Sequence, residues 1–155
     1  MNTKKKNVLI VLCGLPASGK STYAEMLVES GVFQRVCPDL IHRDLYGNES
    51  IQGDSKKVFG IAHRRIKEFG ENGKNCVFDA TNIDENRRTE LVKEMRPYFD
   101  ILICKFMYTP LDYCLKRNKR RERQVPEDVI QRMHDNFDFP TMDEGWDYVE
   151  EIKNY

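Results

Sequence analysis

The octapeptide Gly14-Leu15-Pro16-Ala17-Ser18-Gly19-Lys20-Ser21, which reads G-x-x-x-x-G-K-S, constrains this chain more than any other stretch. It follows directly on the apolar run Val8–Cys13, and a helical pattern begins at once behind it, with Tyr23, Ala24, Leu27 and Val28 on one face. Strand, glycine-rich turn and helix form the setting in which such a loop becomes a phosphate cradle, a P-loop. Gly14 and Gly19 let the backbone turn where a Cβ would clash. The N–H groups of the turn and the helix N-terminus converge on one point and favour an anion there. Lys20 adds a mobile positive charge for the β- and γ-phosphates, and the Ser21 hydroxyl can hold Mg²⁺. A nucleoside triphosphate is therefore expected at the start of the first helix.

A chain of 155 residues suffices for one packed core and is too short for two, so a single domain over 1–155 is expected. Basic and acidic residues number 25 each. With no net field to attract nucleic acid, any such binding must come from a local patch. No apolar stretch is long enough to span a membrane. The basic start Met1–Lys6 leads into an apolar run of strand length with no small-residue cleavage site, which reads as a first strand and not a signal peptide. The five cysteines are odd in number and show no C-x-x-C or His/Cys cluster. They read as reduced core residues of a cytoplasmic protein, not as a zinc set.

Strands alternate with helical patterns along the chain, which points to an α/β fold. Val32–Cys37 ends at Pro38, and Asp39 stands just beyond the C-terminal end of that strand, the edge where open parallel sheets bind ligands. A short helix then runs to Gly47, and Asn48–Gly53 is a polar loop. The stripe Val58, Ile61, Ala62, Ile66 and Phe69 marks a helix whose other face carries Lys56, Lys57, His63, Arg64 and Lys67. A third strand over Asn75–Phe78 leads into Asp79-Ala80-Thr81-Asn82, and Asp84 caps the next helix. The fourth strand, about 100–108, is almost continuously apolar, as a strand buried on both faces should be. Thr109 is expected to cap a helix with Pro110 in its first turn, running into the basic stretch Lys116–Arg123. Pro126 opens a helix with Val129, Ile130, Met133 and Phe137 on one side. Thr141 to Glu144 has capping-box spacing, and Trp146–Ile152 reads as an edge strand.

Three groups of residues carry the chemistry. Asp79, at the end of an apolar strand beside the P-loop, is placed to hold the Mg²⁺ shell with Ser21. Thr81 and Asn82 behind it could hydrogen-bond a substrate or make local Asx-type turns. Asp39, on a second strand expected to lie close to the first, is the candidate base that takes the proton of an acceptor hydroxyl as the phosphorus–oxygen bond forms. The run Lys116–Arg123 has six basic residues in eight. It fits a solvated helix face, a nucleic-acid patch, or a lid that brings arginines to the transferring phosphoryl group. Arg117 and Arg121, four apart, are expected to share one helix face.

Taken together, Gly14–Ser21 followed by Thr22, Asp39 after strand two, Asp79-Ala80-Thr81-Asn82, Arg87-Arg88, Leu115-Lys116-Arg117-Asn118 through Arg121, and Val125-Pro126 resemble the kinase domain of the polynucleotide 5′-hydroxyl kinases. The same pattern extends to related small P-loop kinases of the AAA family ATPase group. The resemblance covers nearly the whole chain. It implies a P-loop kinase fold: a five-stranded parallel sheet with helices on both faces and a short helical lid at about 110–126. It implies that ATP and Mg²⁺ are held by Gly14, Pro16, Ala17, Ser18, Gly19, Lys20, Ser21 and Thr22 with Arg117 and Arg121, the metal lying at Ser21 and Asp79. Asp39 resembles the general base, with Lys20 and Arg121 as its catalytic partners. His42, Arg43, Asp79, Thr81, Asn82 and Arg88 fall in the region that binds the acceptor. The phage-type enzyme has an arginine three residues after the aspartate, where this chain has His42 with Arg43 next. The acceptor implied is the 5′-OH end of RNA or DNA. The alternatives are a small-molecule alcohol such as a sugar, nucleoside or antibiotic, or a nucleotide-dependent switch acting through a protein partner.

Overall fold

The computed structural model describes residues 6–47 and 54–155; the expected polar loop Asn48–Gly53 and most of the basic start lie outside the described residues. Within them, β1 (Val8–Cys13), β2 (Phe33–Val36), β3 (Asn75–Phe78), β4 (Ile101–Tyr108) and β5 (Tyr148–Lys153) form one sheet in the order β2-β3-β1-β4-β5. Every neighbouring pair is parallel. The strand spans match the sequence reading closely, but one expectation about their order does not hold. The second strand does not lie beside the first: β3 separates them, with Ile10 opposite Val77 on one side and Arg35 opposite Val77 on the other. Local sequence cannot announce this, because the order of parallel strands depends on which crossover each helix makes.

The central strand shows why the sheet is covered on both faces. Leu9, Val11 and Cys13 belong to one core cluster and Ile10 and Leu12 to another, as the period of two requires. The smaller cluster packs α1 (Lys20–Glu29) through Tyr23, Ala24 and Leu27. Val28, expected on the same face, is instead 40% exposed. The larger cluster takes in Ile41 of α2 (Pro38–Tyr46), Val58, Ala62 and Ile66 of α3 (Ser55–Glu71), and Leu91, Val92 and Met95 of α4 (Glu85–Met95). Asp84 caps α4 by accepting a hydrogen bond from Arg87 N, as read, and Asp54 caps α3 in the same way by accepting from Lys57 N. All five cysteines are buried, unpaired thiols.

The lid region differs from its sequence reading. Helix α5 (Leu111–Lys119) stops before the basic run does, and α6 (Glu127–Asp135) begins only after Pro126. The capping position of α5 is filled by Pro110, so the Thr109 hydroxyl is released for other contacts. Between the two helices, buried Asn118 donates from Nδ2 to Val125 O at 2.7 Å and accepts from Val125 N at 2.9 Å. This pair closes the segment 119–125 into a loop whose arginines leave the helix surface. Phe137, expected on α6, lies past its end and packs its ring on Phe106 at 5.2 Å.

Candidate active site

The P-loop has the strained, close-packed geometry that its glycines predict. A Cβ on Gly14 would come within 2.7 Å of Ser18 Oγ and 3.0 Å of Met107 O. Gly19 has φ +101°, and a Cβ there would meet Asn154 Nδ2 at 1.9 Å. Ala17 also adopts a left-handed φ of 65°, a cost that functional loops accept when their surroundings hold them. Gly14 N donates to Thr81 O at 2.9 Å, which ties the loop to the segment behind β3. Lys20 is buried and its ammonium donates to Leu15 O at 2.6 Å. Burial pulls its pKa below the ordinary lysine value, against the opposing pull of Asp79. A desolvated ammonium lying across its own loop is a site made for a group of opposite charge.

Asp79 ends β3 as expected and is buried. Its Oδ2 accepts from Ser21 Oγ at 3.2 Å. A hydroxyl and a carboxylate oxygen at this separation, beside a phosphate cradle, are hard oxygen donors of the kind Mg²⁺ takes when phosphates and water complete its shell. These two residues therefore fit the ion, whose role when bound is to neutralise phosphate charge. Sequence reading missed a third member. Arg35 of β2 donates to the same Asp79 oxygen from Nη2 at 2.6 Å and from Nε at 3.1 Å. Its guanidinium titrates above the ordinary value: burial alone would lower it, and the hydrogen bond and charge of Asp79 outweigh that.

One cleft of about 990 Å³ gathers most of the residues singled out from sequence. Pro16, Ala17, Gly19, Lys20, Ser21 and Thr22 form its floor, and Asp79 and Thr81 form one side. Asp39 and His42 line the end where α2 begins, and Arg117, Arg121 and Arg123 line the lid side. Arg117 and Arg121 thus face one cleft without sharing a helix face, since α5 ends at Lys119. Asp39 is exposed and forms an ion pair of 3.6 Å with Arg123. Such a solvated pair is worth about 0–1 kcal/mol, too little to keep the carboxylate from an acceptor. His42 packs its ring against Tyr46 at 4.9 Å, and its buried Nδ1 has no hydrogen-bond partner among the described residues.

Several expected contacts are redirected. Arg88 does not line the cleft: it is 1% exposed and forms a bidentate ion pair with Glu144, at 2.7 Å from Nε and 2.9 Å from Nη2. Its Nη1 donates to Asn82 O at 2.8 Å, so the residue holds the loop after β3 from behind. Asn82 has a left-handed φ of 45°, and its Nδ2 donates to Leu12 O at 2.7 Å, which ties the loop after β3 to β1. Arg43 is exposed and does not line the cleft, and Arg64 likewise points elsewhere. Gly14 and Ser18 are buried beneath the loop, which they shape without lining the cleft.

A parallel sheet in this order, with a P-loop between β1 and α1 and a lid after β4, defines the P-loop kinase fold. The chain belongs to the AAA domain family AAA_33, whose model matches residues 9–140. Among its relatives is the L-seryl-tRNA(Sec) kinase of Methanococcus maripaludis, 28% identical over 143 residues, with 90% of this chain and 56% of that protein covered. Another is the bifunctional polynucleotide phosphatase/kinase of Schizosaccharomyces pombe, 27% identical over 150 residues, covering 93% of this chain and 33% of that one. A similar fold occurs in the Pnkp1/Rnl/Hen1 RNA repair complex, with TM-score 0.73, 23% identity, and 89% of this chain and 48% of that chain covered. The chain thus spans about half of the first relative and a third of the second. No helix among the described residues is long and apolar enough to cross a membrane.

Proposed function

We propose that this chain transfers the γ-phosphoryl group of ATP to a hydroxyl, and that the acceptor is the 5′-OH end of a polynucleotide. The observation that carries the transfer is the single cleft in which Lys20 and Ser21, Asp79, Asp39 and the lid arginines meet. An ATP laid with its phosphates on the P-loop directs the γ-phosphate between the Asp79 and Asp39 sides. The acceptor oxygen attacks that phosphorus as the bond to the ADP oxygen breaks. Asp39 takes the hydroxyl proton, which is why a carboxylate belongs on the acceptor side. Lys20, Arg117 and Arg121 offset the negative charge that moves onto the leaving oxygens. A nucleotide-dependent switch would need no such base. The polynucleotide acceptor is supported by the resemblance carried by Asp39 and Asp79-Ala80-Thr81-Asn82. The names of the S. pombe relative and of the RNA repair complex lend it further support.

The test is transfer of label from γ-labelled ATP, with Mg²⁺, to 5′-OH RNA and DNA oligonucleotides, alongside small sugars and nucleosides. Asp39→Asn is expected to lower transfer by at least about 10²-fold and to leave ATP affinity unchanged. Transfer to a small alcohol and none to an oligonucleotide would assign the same machinery to a small-molecule kinase. Full activity in Asp39→Asn would remove Asp39 from the chemistry.

A further inference from the structure

A second cavity adjoins the cleft. It has a volume of about 440 Å³ and runs between α3 and α4, with Phe59 and His63 on one wall, Arg87 on the other, and Phe78 and Leu91 in its floor. Ser55, Phe59, Ala80 and Thr81 line both spaces, so the two are continuous. We propose that this groove holds the second nucleotide of the acceptor, its base against Phe59 and its phosphate beside Arg87. The inference rests on the kinase reading above and names where a polynucleotide leaves the cleft.

Continuity sets the direction. The terminal nucleotide has its 5′-OH at Asp39 and fits within the 990 Å³ cleft. A small alcohol would be contained there entirely and would leave the groove unused. A chain continuing from that terminal nucleotide has a path past Phe59 and Thr81, and the groove begins at those residues.

The lining suits the ligand. Phe78 and Leu91 are nearly inaccessible from outside and make the floor apolar. Phe59 is a large apolar side chain left 38% exposed at the mouth of the groove. A base stacked on an aromatic ring is held without regard to its sequence identity. Arg87 is exposed in the first turn of α4, where a guanidinium can reach a phosphate oxygen. Of the carboxylates on the rim, Asp84 is engaged in capping Arg87 N at 2.9 Å. Glu94 is held by His63 at 3.0 Å and Lys67 at 2.9 Å. Glu90, three residues on from Arg87 along α4, is the carboxylate that a phosphate must avoid.

The experiment measures phosphoryl transfer to a nucleoside, a 5′-OH dinucleotide and a longer oligonucleotide by the wild type, Phe59→Ala and Arg87→Ala. The ratio of dinucleotide KM to nucleoside KM is expected to rise roughly tenfold in each variant, the effect of losing one stacked base or one phosphate contact. Phe59→Tyr, which keeps the ring, is expected to restore the wild-type ratio. Thermal unfolding of each variant checks that the fold is retained. An oligonucleotide that is phosphorylated with an unchanged KM ratio in both variants would overturn the groove and leave the kinase reading standing. No transfer to any oligonucleotide would overturn the polynucleotide reading and this inference with it.

Discussion

Asp79 owes its position to Arg35, a residue that nothing in the local sequence distinguishes. On an edge strand of four residues, Phe33–Val36, an arginine reads as a solvated side chain. It matters only because β3 lies next to β2, so that Asp79 N reaches Val36 O at 2.8 Å and the carboxylate comes under the guanidinium. Arg35→Gln would leave a carboxylate with 3% side-chain exposure without its hydrogen-bonded cation, with Lys20 the charge still acting on it. Removing one partner of a wholly buried pair costs about 3–5 kcal/mol. The Arg35 side chain is 18% exposed, so water softens the loss. A destabilisation of about 2–3 kcal/mol is expected in metal-free buffer. Because Mg²⁺ with ATP would supply the missing positive charge, it should raise the melting temperature of Arg35→Gln more than that of the wild type. An equal gain in the two proteins would show that Arg35 and the metal do not share Asp79. His42 is the converse case: the sequence placed it beside Asp39, and it does line the cleft, but its buried unpaired Nδ1 became visible only in three dimensions.

Between elements, the pair Arg88–Glu144 carries more structure than its sequence suggested. Arg88 reads as one more cation near an acceptor because a basic residue on a polar helix gives no sign of which way it points. Its partner lies 56 residues away in the 3-10 turn Met142–Glu144. That turn was legible from capping-box spacing, and Thr141 N does donate to Glu144 Oε2 at 3.1 Å. Yet the spacing says nothing of Trp146, whose indole N–H donates to Glu144 Oε1 at 3.1 Å, or of Arg88. The strands and most helix caps were readable because periodicity and capping are local. The lid loop and this clamp were not, because each is set by contacts distant in sequence. Burial alone would raise the pKa of Glu144, but the hydrogen bonds and charge of Arg88, with the indole, bring it below the ordinary carboxylate value. A depressed folded pKa stabilises the fold above the unfolded value, about 4.3. That contribution is lost as pH falls through the lower folded value. Glu144→Gln strands a buried guanidinium and is expected to cost about 3–5 kcal/mol at neutral pH. The difference from wild type should shrink as the pH is lowered below about 4. Denaturant unfolding at neutral and acid pH reads both; a difference independent of pH would mean that Glu144 does not titrate with folding.

Across the whole molecule, the sheet order sends the chain from one edge to the other and then back to the P-loop. β2 forms one edge and β5 the other, with the cleft over the central strands. The residue after β5, Asn154, returns to that cleft: its Nδ2 donates to Ser18 O at 2.8 Å, and its own carbonyl accepts from Arg117 Nη2 at 3.0 Å. The Thr109 hydroxyl, free because Pro110 takes the cap, stands 3.0 Å from Ser18 O and 2.9 Å from Asn154 O and donates to one at a time. The far edge of the sheet, the start of the lid and the phosphate loop are thereby joined at one point. A Cβ at Gly19 would displace the Asn154 amide from this contact, on top of the strain that its φ of +101° puts on any side chain. Asn154→Ala removes one side-chain hydrogen bond, a net loss of about 1 kcal/mol. If that loss falls on the P-loop's binding conformation, ATP affinity should drop about fivefold. The acceptor KM should hold, because Asp39 and the groove beyond it are carried by other elements. Calorimetric titration with ATP and Mg²⁺ measures the first, and steady-state transfer at saturating ATP the second. A variant with wild-type ATP affinity would mean that the loop keeps its shape without the Asn154 side chain, held by Gly14 N on Thr81 O and by the Thr109 hydroxyl on Ser18 O.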